Sequence, residues 1–234
     1  MLSVVIPAYN ESHRISATIR DVLDYLSRAD FAFELVVVDD GSTDDTAQLV
    51  TCNPHPALRL LQLPRNMGKG AAVKAGCLDS KGDCILFMDA DHSTRIEEVE
   101  AFIPRLQSGH DLVVGVRTYQ DGESRARRIM GLTFLILAHL FVFKKAVVDS
   151  QCGFKAFTRE AAQVIFSNCH NNGGTIDVEI FYLAHKFGLK VFFAPVHWRN
   201  APGSTISVWK CILRDPFDML RIRIRDLFNR YQEG

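Results

Sequence analysis

Two carboxylates one residue apart, Asp89 and Asp91, stand at the end of the run CILFM, residues 84–88. A mostly apolar run of this length reads as a buried parallel strand, not as an exposed alternating one. In open α/β folds ligands bind in the crevice at the carboxyl ends of the strands. Two aspartates there can face a hard divalent cation and the phosphates it carries, because Mg²⁺ is commonly held by one or two carboxylates plus substrate phosphates. A polar strand-to-loop turn would contain the same pair, so the surrounding elements must decide between the two readings.

A second acidic edge follows the strand-like run FELVVV, residues 33–38, where Asp39 and Asp40 precede Gly41, Ser42 and Thr43. Turn chemistry accounts for the glycine and the hydroxyls. It accounts less well for two adjacent like charges, and a carboxylate here could accept from a ribose hydroxyl or a base N–H. Gly68, Lys69 and Gly70 open a helix after a third short strand, residues 58–63. They nearly match the dinucleotide fingerprint G-x-G-x-x-G/A, with Val73 at the last site. That fingerprint belongs to the first βα turn, here residues 7–11, which has no glycine. A glycine-rich helix start with Lys69 suits an anionic ligand, and an ordinary helix entry remains the alternative. Asp177 and Glu179 sit in the first turn of a later helix, where the dipole alone favours acids.

The elements that must position these residues alternate. Residues 2–6 read as a first strand stopped by Pro7, with Ser12 as N-cap of a helix whose apolar positions are Ile15, Ile19, Val22, Leu23 and Leu26. Ser42 or Thr43 would cap the next helix, and Ser93 or Thr94 one starting near Arg95. Residues 111–116 form another strand, ending at Arg117. Thr158 caps a helix over residues 159–166, Gly188 ends one that opens near residue 175, and residues 190–195 form a last strand. His92 reads as a loop residue. The fold class is α/β, a mostly parallel sheet flanked by helices.

Composition narrows the classes. The 234 residues are 47% hydrophobic with a formal net charge of zero, which suits one α/β domain with a sizeable core, or one domain with a small appendage, and points neither to nucleic acid nor to a highly acidic partner. Six cysteines lie scattered without a C-x-x-C pair, as expected of reduced, mostly buried thiols. The sequence begins in strand-like residues without a signal peptide pattern, and no apolar run reaches the roughly 20 residues of a membrane span.

Two segments stand apart. Arg125, Arg127 and Arg128 precede an apolar run, residues 129–143, closed by Lys144 and Lys145. It reads either as a buried core helix or as an interfacial helix dipping into a bilayer, and the cationic flanks favour the second. From Ser207 the tail interleaves Ile212, Phe217, Leu220, Ile224, Leu227 and Phe228 with Arg214, Arg221, Arg223, Arg225 and Arg230. This is the pattern of a peripheral membrane helix or of one packed on the body. The expected organisation is one domain over residues 1–206, with the interfacial helix at about 124–145, and a basic amphipathic tail over residues 207–234.

Six segments occur in one order: VVIPAYNE, VVDDGSTDDT, RNMGKGAAVKAG, LFMDADHST, DSQCGFKAFTRE and TIDVEIF. Together they resemble the inverting family 2 glycosyltransferases, and among these the dolichyl-phosphate glucosyltransferases and polyprenyl-phosphate relatives, near the dolichyl-phosphate mannose synthases. The resemblance spans residues 2 to about 204. It implies a GT-A fold and transfer of a hexose, first of all glucose from UDP-glucose, to a polyprenyl or dolichyl phosphate with inversion. The alternatives it leaves are a GDP-mannose donor, or a family 2 transferase acting on a saccharide. Carried over by motif, Pro7, Tyr9, Glu11, Asp39, Asp40, Lys69 and Ala90 would line the nucleotide-sugar site, with Asp89 and Asp91 holding Mg²⁺ or Mn²⁺ on the diphosphate. Arg117, Arg128 and Lys155 would hold the acceptor phosphate, and Asp177 and Glu179 would lie near the sugar, so that Asp89, Asp91, Asp177 and Arg117 form the expected catalytic set. Asn200 stands where the relatives usually carry glutamate, and Thr205 where lysine is common. Eukaryotic glucosyltransferases of this type also carry an N-terminal membrane anchor, and its lack here favours a prokaryotic or a peripheral protein; the expected location is cytoplasmic, at the cytoplasmic face of the membrane. The implied partners are a nucleotide-sugar donor, a lipid phosphate and the membrane surface.

Overall fold

Seven strands form one sheet in the order β3-β2-β1-β4-β6-β5-β7, in a computed structural model that describes residues 1–119, 152–199, 208–228 and 230–231. The apolar run 129–143, Arg128, Asn200 and Thr205 lie outside the described residues. The strands are β1 (Leu2–Ala8), β2 (Phe33–Asp39), β3 (Leu58–Gln62), β4 (Cys84–Met88), β5 (Leu112–Tyr119), β6 (Phe154–Thr158) and β7 (Val191–Trp198). β1 pairs in parallel with β2 and β4, β2 with β3, and β5 with β7. Only β6 runs antiparallel, between β4 and β5.

Both faces of the central strands are covered, which is why their sequences are apolar without alternation. One face carries α1 (Ile15–Leu26) and α4 (Ile103–Gln107), with a short 3-10 turn at Ile96–Ala101. Ile15, Ile19, Val22 and Leu26 are wholly buried there against Val4, Ile6 and Leu35. The opposite face carries α3 (Lys69–Asp79), α5 (Arg159–Asn168) and α6 (Ile176–Lys186), with Val73, Ile165, Ile180 and Leu183 against Val5, Val36 and Phe87. α2 (Thr46–Thr51) connects β2 and β3. α7 (Val208–Leu227) sends Met219 and Ile222 into the same core as α3, α5 and α6. The inner face of the tail is therefore part of the body.

Register aligns the chemistry. Ala8 lies opposite Asp39, Val5 opposite Phe87, and Phe154 opposite Met88. The carboxyl ends of β1, β2 and β4 and the start of β6 thus share one edge.

Several boundaries differ from the sequence reading. β1 continues through Pro7, because pairing with β4 ends at Val5 and leaves one side of the strand without a ladder to complete. Ser12 does not cap α1. The helix starts at Ile15 without a side-chain cap, and the Ser12 N–H goes to Asp44. Neither Ser42 nor Thr43 caps α2, and Thr94 bridges to Trp198 instead of capping a helix. β5 extends past Arg117, so that residue lies within the strand, and β7 runs on to Trp198. Thr158 does cap α5, accepting from the Ala161 N–H at 3.2 Å, and Gly188 ends α6 with φ of +66°.

Candidate active site

The first two loops at this edge are stitched together. Asn10, in the left-handed region at φ of +54°, donates its N–H to Ser42 Oγ at 2.9 Å, and its Oδ1 accepts from the Thr43 N–H at 2.8 Å. The Glu11 N–H reaches Thr46 Oγ1 at 2.8 Å. Tyr9 stands exposed at the rim, while Pro7 is half-buried within β1. Glu11 pairs with Arg14. Burial pushes the Glu11 carboxyl up, Arg14 draws it back, and the charge of Asp91 adds to the rise, so the ends of β1 and β4 feel each other.

The two β2 acids are buried and divide their work. Asp39 accepts from the Ser42 N–H at 3.1 Å and from Gln62 at 3.4 Å. Asp40 accepts from the Met67 N–H at 2.7 Å and the Gly68 N–H at 2.8 Å. Burial raises its carboxyl, and the Asp39 charge adds to this against those two donors. Asp40 therefore shapes the glycine turn ahead of α3. Gly68 takes φ of +100°, a conformation that glycine adopts without the Cβ penalty.

That turn delivers Lys69 to Asp89, with Nζ 2.7 Å from Oδ1. Both side chains are about one-third exposed. Burial would pull the ammonium down, but the carboxylates of Asp89, Asp177 and Asp91 outweigh it and hold Lys69 above its ordinary range. Burial pushes Asp89 up, Lys69 draws it back, and Asp91 and Asp177 push it further up. Lys69 is thus paired with Asp89 and feels the charges of Asp91 and Asp177. The buried Ala90 between the paired aspartates gives its carbonyl to Thr18 of α1 at 2.8 Å, and Asp91 Oδ1 accepts from the Ser93 N–H at 2.9 Å. His92, at φ of +57°, turns toward Asp21 on α1, with 3.8 Å between Nε2 and Oδ2.

A second pair lies beside the first. Lys155, on β6 next to β4, is wholly buried; its ammonium meets Asp177 Oδ1 at 2.5 Å and the Cys152 carbonyl. Both lysines approach the Phe87 ring, at 5.3 Å for Lys69 and 5.6 Å for Lys155. Lys155 was expected to hold an acceptor phosphate; in this arrangement its charge is spent inside the protein, on Asp177. Glu179 does not face this group. It is buried on α6 and accepts from the His170 and Asn171 N–H groups at 3.0 and 2.7 Å. Arg117 lies on β5, two strands from β4, with its guanidinium 5.3 Å over the Trp198 ring.

The carboxylates of Asp89 and Asp91 are hard oxygen donors, suited to Mg²⁺ or Mn²⁺. Gly153 leaves the room they need: a Cβ there would lie 1.9 Å from Asp89 Oδ2. Among the described residues no group of three or more His, Cys, Asp or Glu side chains forms a cage. A cation here would take its remaining ligands from water or from substrate phosphates. Cys52, Cys77, Cys84, Cys152 and Cys169 form no disulfide among the described residues, and burial pushes the Cys77 and Cys169 thiols up.

The sequence reading missed the loop at residues 170–173 and its tie to the end of the chain. Its place shows only in the close approach of Asn171 and Asn172 to Gly68 and Gly70.

Comparison with known proteins agrees with this geometry. Residues 3–166 match the profile described as Glycosyl transferase family 2. The chain is 38% identical to Dolichyl-phosphate beta-glucosyltransferase ALG5C of Trichomonas vaginalis, over 94% of this chain and 70% of the relative. It is also 38% identical to Dolichyl-phosphate beta-glucosyltransferase of Dictyostelium discoideum, over 97% and 75%. The fold is similar to that of glucosyl-3-phosphoglycerate synthase from Mycobacterium tuberculosis in complex with Mn²⁺, UDP-glucose and phosphoglyceric acid. That match has a TM-score of 0.73 at 23% identity, covering 95% of this chain and 79% of that one.

Proposed function

The chain belongs to glycosyl transferase family 2, and from that premise we propose that it transfers glucose from UDP-glucose to a dolichyl or polyprenyl phosphate, with inversion and with Mg²⁺ or Mn²⁺. The names of the relatives at 38% identity support the glucose and the lipid phosphate. The observation that carries the reading to residues is Lys69 paired with Asp89 at 2.7 Å at the carboxyl end of β4, just ahead of Asp91. This is a cation among acids at the switch point where an α/β sheet binds its ligand.

In this reading Asp89 and Asp91 hold the divalent cation. Bound there, it would neutralise charge on the diphosphate leaving group. Pro7, Tyr9, Glu11 and Asp39 form the nucleotide side, and Asp40 shapes the turn that presents Lys69. The acceptor phosphate oxygen forms the new bond to the sugar C1 from the face opposite UDP, and the bond from C1 to the diphosphate oxygen breaks, its electron pair leaving with UDP. A phosphate oxygen is already ionised near neutral pH, so the attack needs no strong general base. Asp177 agrees with this, because its carboxylate is engaged by Lys155. Arg117, and Arg128 outside the described residues, are the candidates to hold the acceptor phosphate.

We place the reaction at the cytoplasmic face of a membrane, with the protein bound peripherally. No helix among the described residues is long and apolar enough to cross a membrane. The outer face of α7 and its end carry Phe217, Leu227 and Phe228 at 67%, 78% and 73% exposure, with Leu220 and Ile224 between them. At helical spacing these five fall within an arc of about 100°. Arg221 and Arg223 flank the stripe, as an interfacial helix requires.

The test is transfer of labelled sugar from UDP-glucose to a short polyprenyl phosphate in Mg²⁺ or Mn²⁺, with GDP-mannose in parallel and Asp91→Ala as control. Lipid-linked glucose that disappears in the control is the expected result. Product from GDP-mannose alone overturns the donor assignment. No lipid product from either donor, with UDP still bound, overturns the acceptor.

A further inference from the structure

Glu179 reaches beyond its own loop. While Oε2 accepts from His170 and Asn171, Oε1 accepts from the Tyr231 hydroxyl at 2.7 Å, with the Arg225 guanidinium 3.7 Å away. Tyr231 is buried at the end of the described chain, its ring 5.8 Å from His170 and 6.0 Å from Tyr182. A buried carboxylate with these donors joins two segments distant in sequence, because releasing either would leave its charge under-solvated.

The loop so held presses on the start of α3. The Gly70 N–H donates to the Asn172 carbonyl at 2.9 Å. A Cβ on Gly68 would come within 2.2 Å of that same oxygen, and one on Gly70 within 2.3 Å of the Asn171 carbonyl. Glycine at both positions is thus required by backbone contact with this loop. Between them stands Lys69, whose ammonium meets Asp89. α7 supports the loop through a second contact: Thr175, just before α6, donates to Asp218 of α7 at 3.3 Å, and Asn171 donates to Thr175.

We propose that Tyr231 and Glu179 are positioning residues for the donor site. The end of the chain holds residues 170–172 against Gly68 and Gly70, and so fixes Lys69 in front of Asp89. This rests on the reading of that edge as the nucleotide-sugar site. Neither residue touches the reacting atoms, so their loss weakens donor binding and leaves the bond-making step largely intact.

Tyr231→Phe tests this with the removal of one hydroxyl. Hydrogen exchange at the Gly70 amide and at the His170 and Asn171 amides is expected to rise about tenfold, as for the loss of one hydrogen bond to a charged group. The amides of β1 and β2 keep their rates. In the transfer assay KM for UDP-glucose is expected to rise about fivefold with kcat within about twofold. Glu179→Gln cuts the path at its centre and moves both readouts further, and Tyr231→Phe then adds little in that background. If Glu179→Gln does not fold, Tyr231→Phe decides alone. Unchanged exchange at Gly70, an unchanged KM, or a uniform rise in exchange with a lowered unfolding midpoint alone overturns the proposal. Should the wild-type chain transfer no glucose, the functional reading fails, and the exchange pattern still decides whether the clamp exists.

Discussion

The Lys155 ammonium stands 2.5 Å from the Asp177 carboxylate where neither side chain reaches solvent, at 0% and 5% exposure. A buried pair of this kind contributes little net stability, yet removing one partner strands the other charge. Asp177→Asn is therefore expected to destabilise the fold by about 3–5 kcal/mol, read as a lowered midpoint in urea. Adding Lys155→Met should recover most of that loss. The pH–rate profile of the folded Asp177→Asn protein should keep its acidic limb, because the limb does not report this carboxylate as a base. Wild-type stability combined with a thousandfold lower kcat would make Asp177 the general base, and would turn the acceptor from a phosphate to a hydroxyl.

Gly153 offers a change confined to Asp89. The added methyl of Gly153→Ala would meet the end of that side chain at 1.9 Å, with no backbone atom among its nearest neighbours. A side-chain tip can move, so the fold survives while the carboxylate leaves its position. Transfer is expected to fall about tenfold to a hundredfold, the scale seen when a charge-stabilising group is misplaced by an ångström, with the concentration of Mg²⁺ for half-maximal rate rising as well. An unfolding midpoint within a few degrees of wild type would assign the loss to the site. Full activity would remove Asp89 from the metal-binding set.

The sheet and the acidic edge were legible because they rest on local signals. Apolar runs without alternation marked β1, β2, β4 and β5, and turn chemistry put Asp39, Asp40, Asp89 and Asp91 at strand ends. The partners these acids choose were not legible. Asp40 binds the backbone of Met67 and Gly68, and Glu179 binds Tyr231, across 28 and 52 residues at the far ends of those contacts. A first-turn acid looks the same in sequence whether it faces a sugar or locks a loop. Helix starts failed for a related reason. The loop after β1 is instead stitched to the loop after β2, with the Ser12 N–H and the Thr46 hydroxyl donating to Asp44 and the Glu11 N–H donating to Thr46. Tertiary competition of that kind leaves no trace in a single stretch of residues.

That stitch has a pH signature. Burial pushes Asp44 up, but hydrogen bonds from Thr46 and Ser12 together outweigh it and hold its carboxyl down to about 2. In the unfolded chain an aspartate titrates near about 3.9. A folded value below the unfolded one means that the contribution to stability is present above about pH 4 and is lost as pH falls through the folded value of about 2. The unfolding midpoint of the wild-type chain should drop across this window more steeply than that of Asp44→Asn, with the two curves parallel near neutral pH. Equal slopes at acid pH would show that the loop stitch does not depend on the ionised carboxylate.

The outer face of α7 makes the last prediction. Met219 and Ile222 are wholly buried, so the helix cannot roll to hide Phe217, Leu227 and Phe228 without emptying the core beneath it. Those side chains must meet something apolar or stay in water, and the arginines beside them favour a surface bearing negative charge. Full-length protein should sediment with vesicles containing phosphatidylserine, more weakly as salt rises. Phe217→Ser and Phe228→Ser should each weaken binding about tenfold, the scale of one buried aromatic ring. Transfer to a short, water-soluble polyprenyl phosphate should be unchanged in both variants, because the stripe faces away from the core that supports β4. Undiminished vesicle binding would assign the membrane contact to another part of the chain. A shift from dimer to monomer in the same variants, without a change in sedimentation, would make the stripe a contact between two copies.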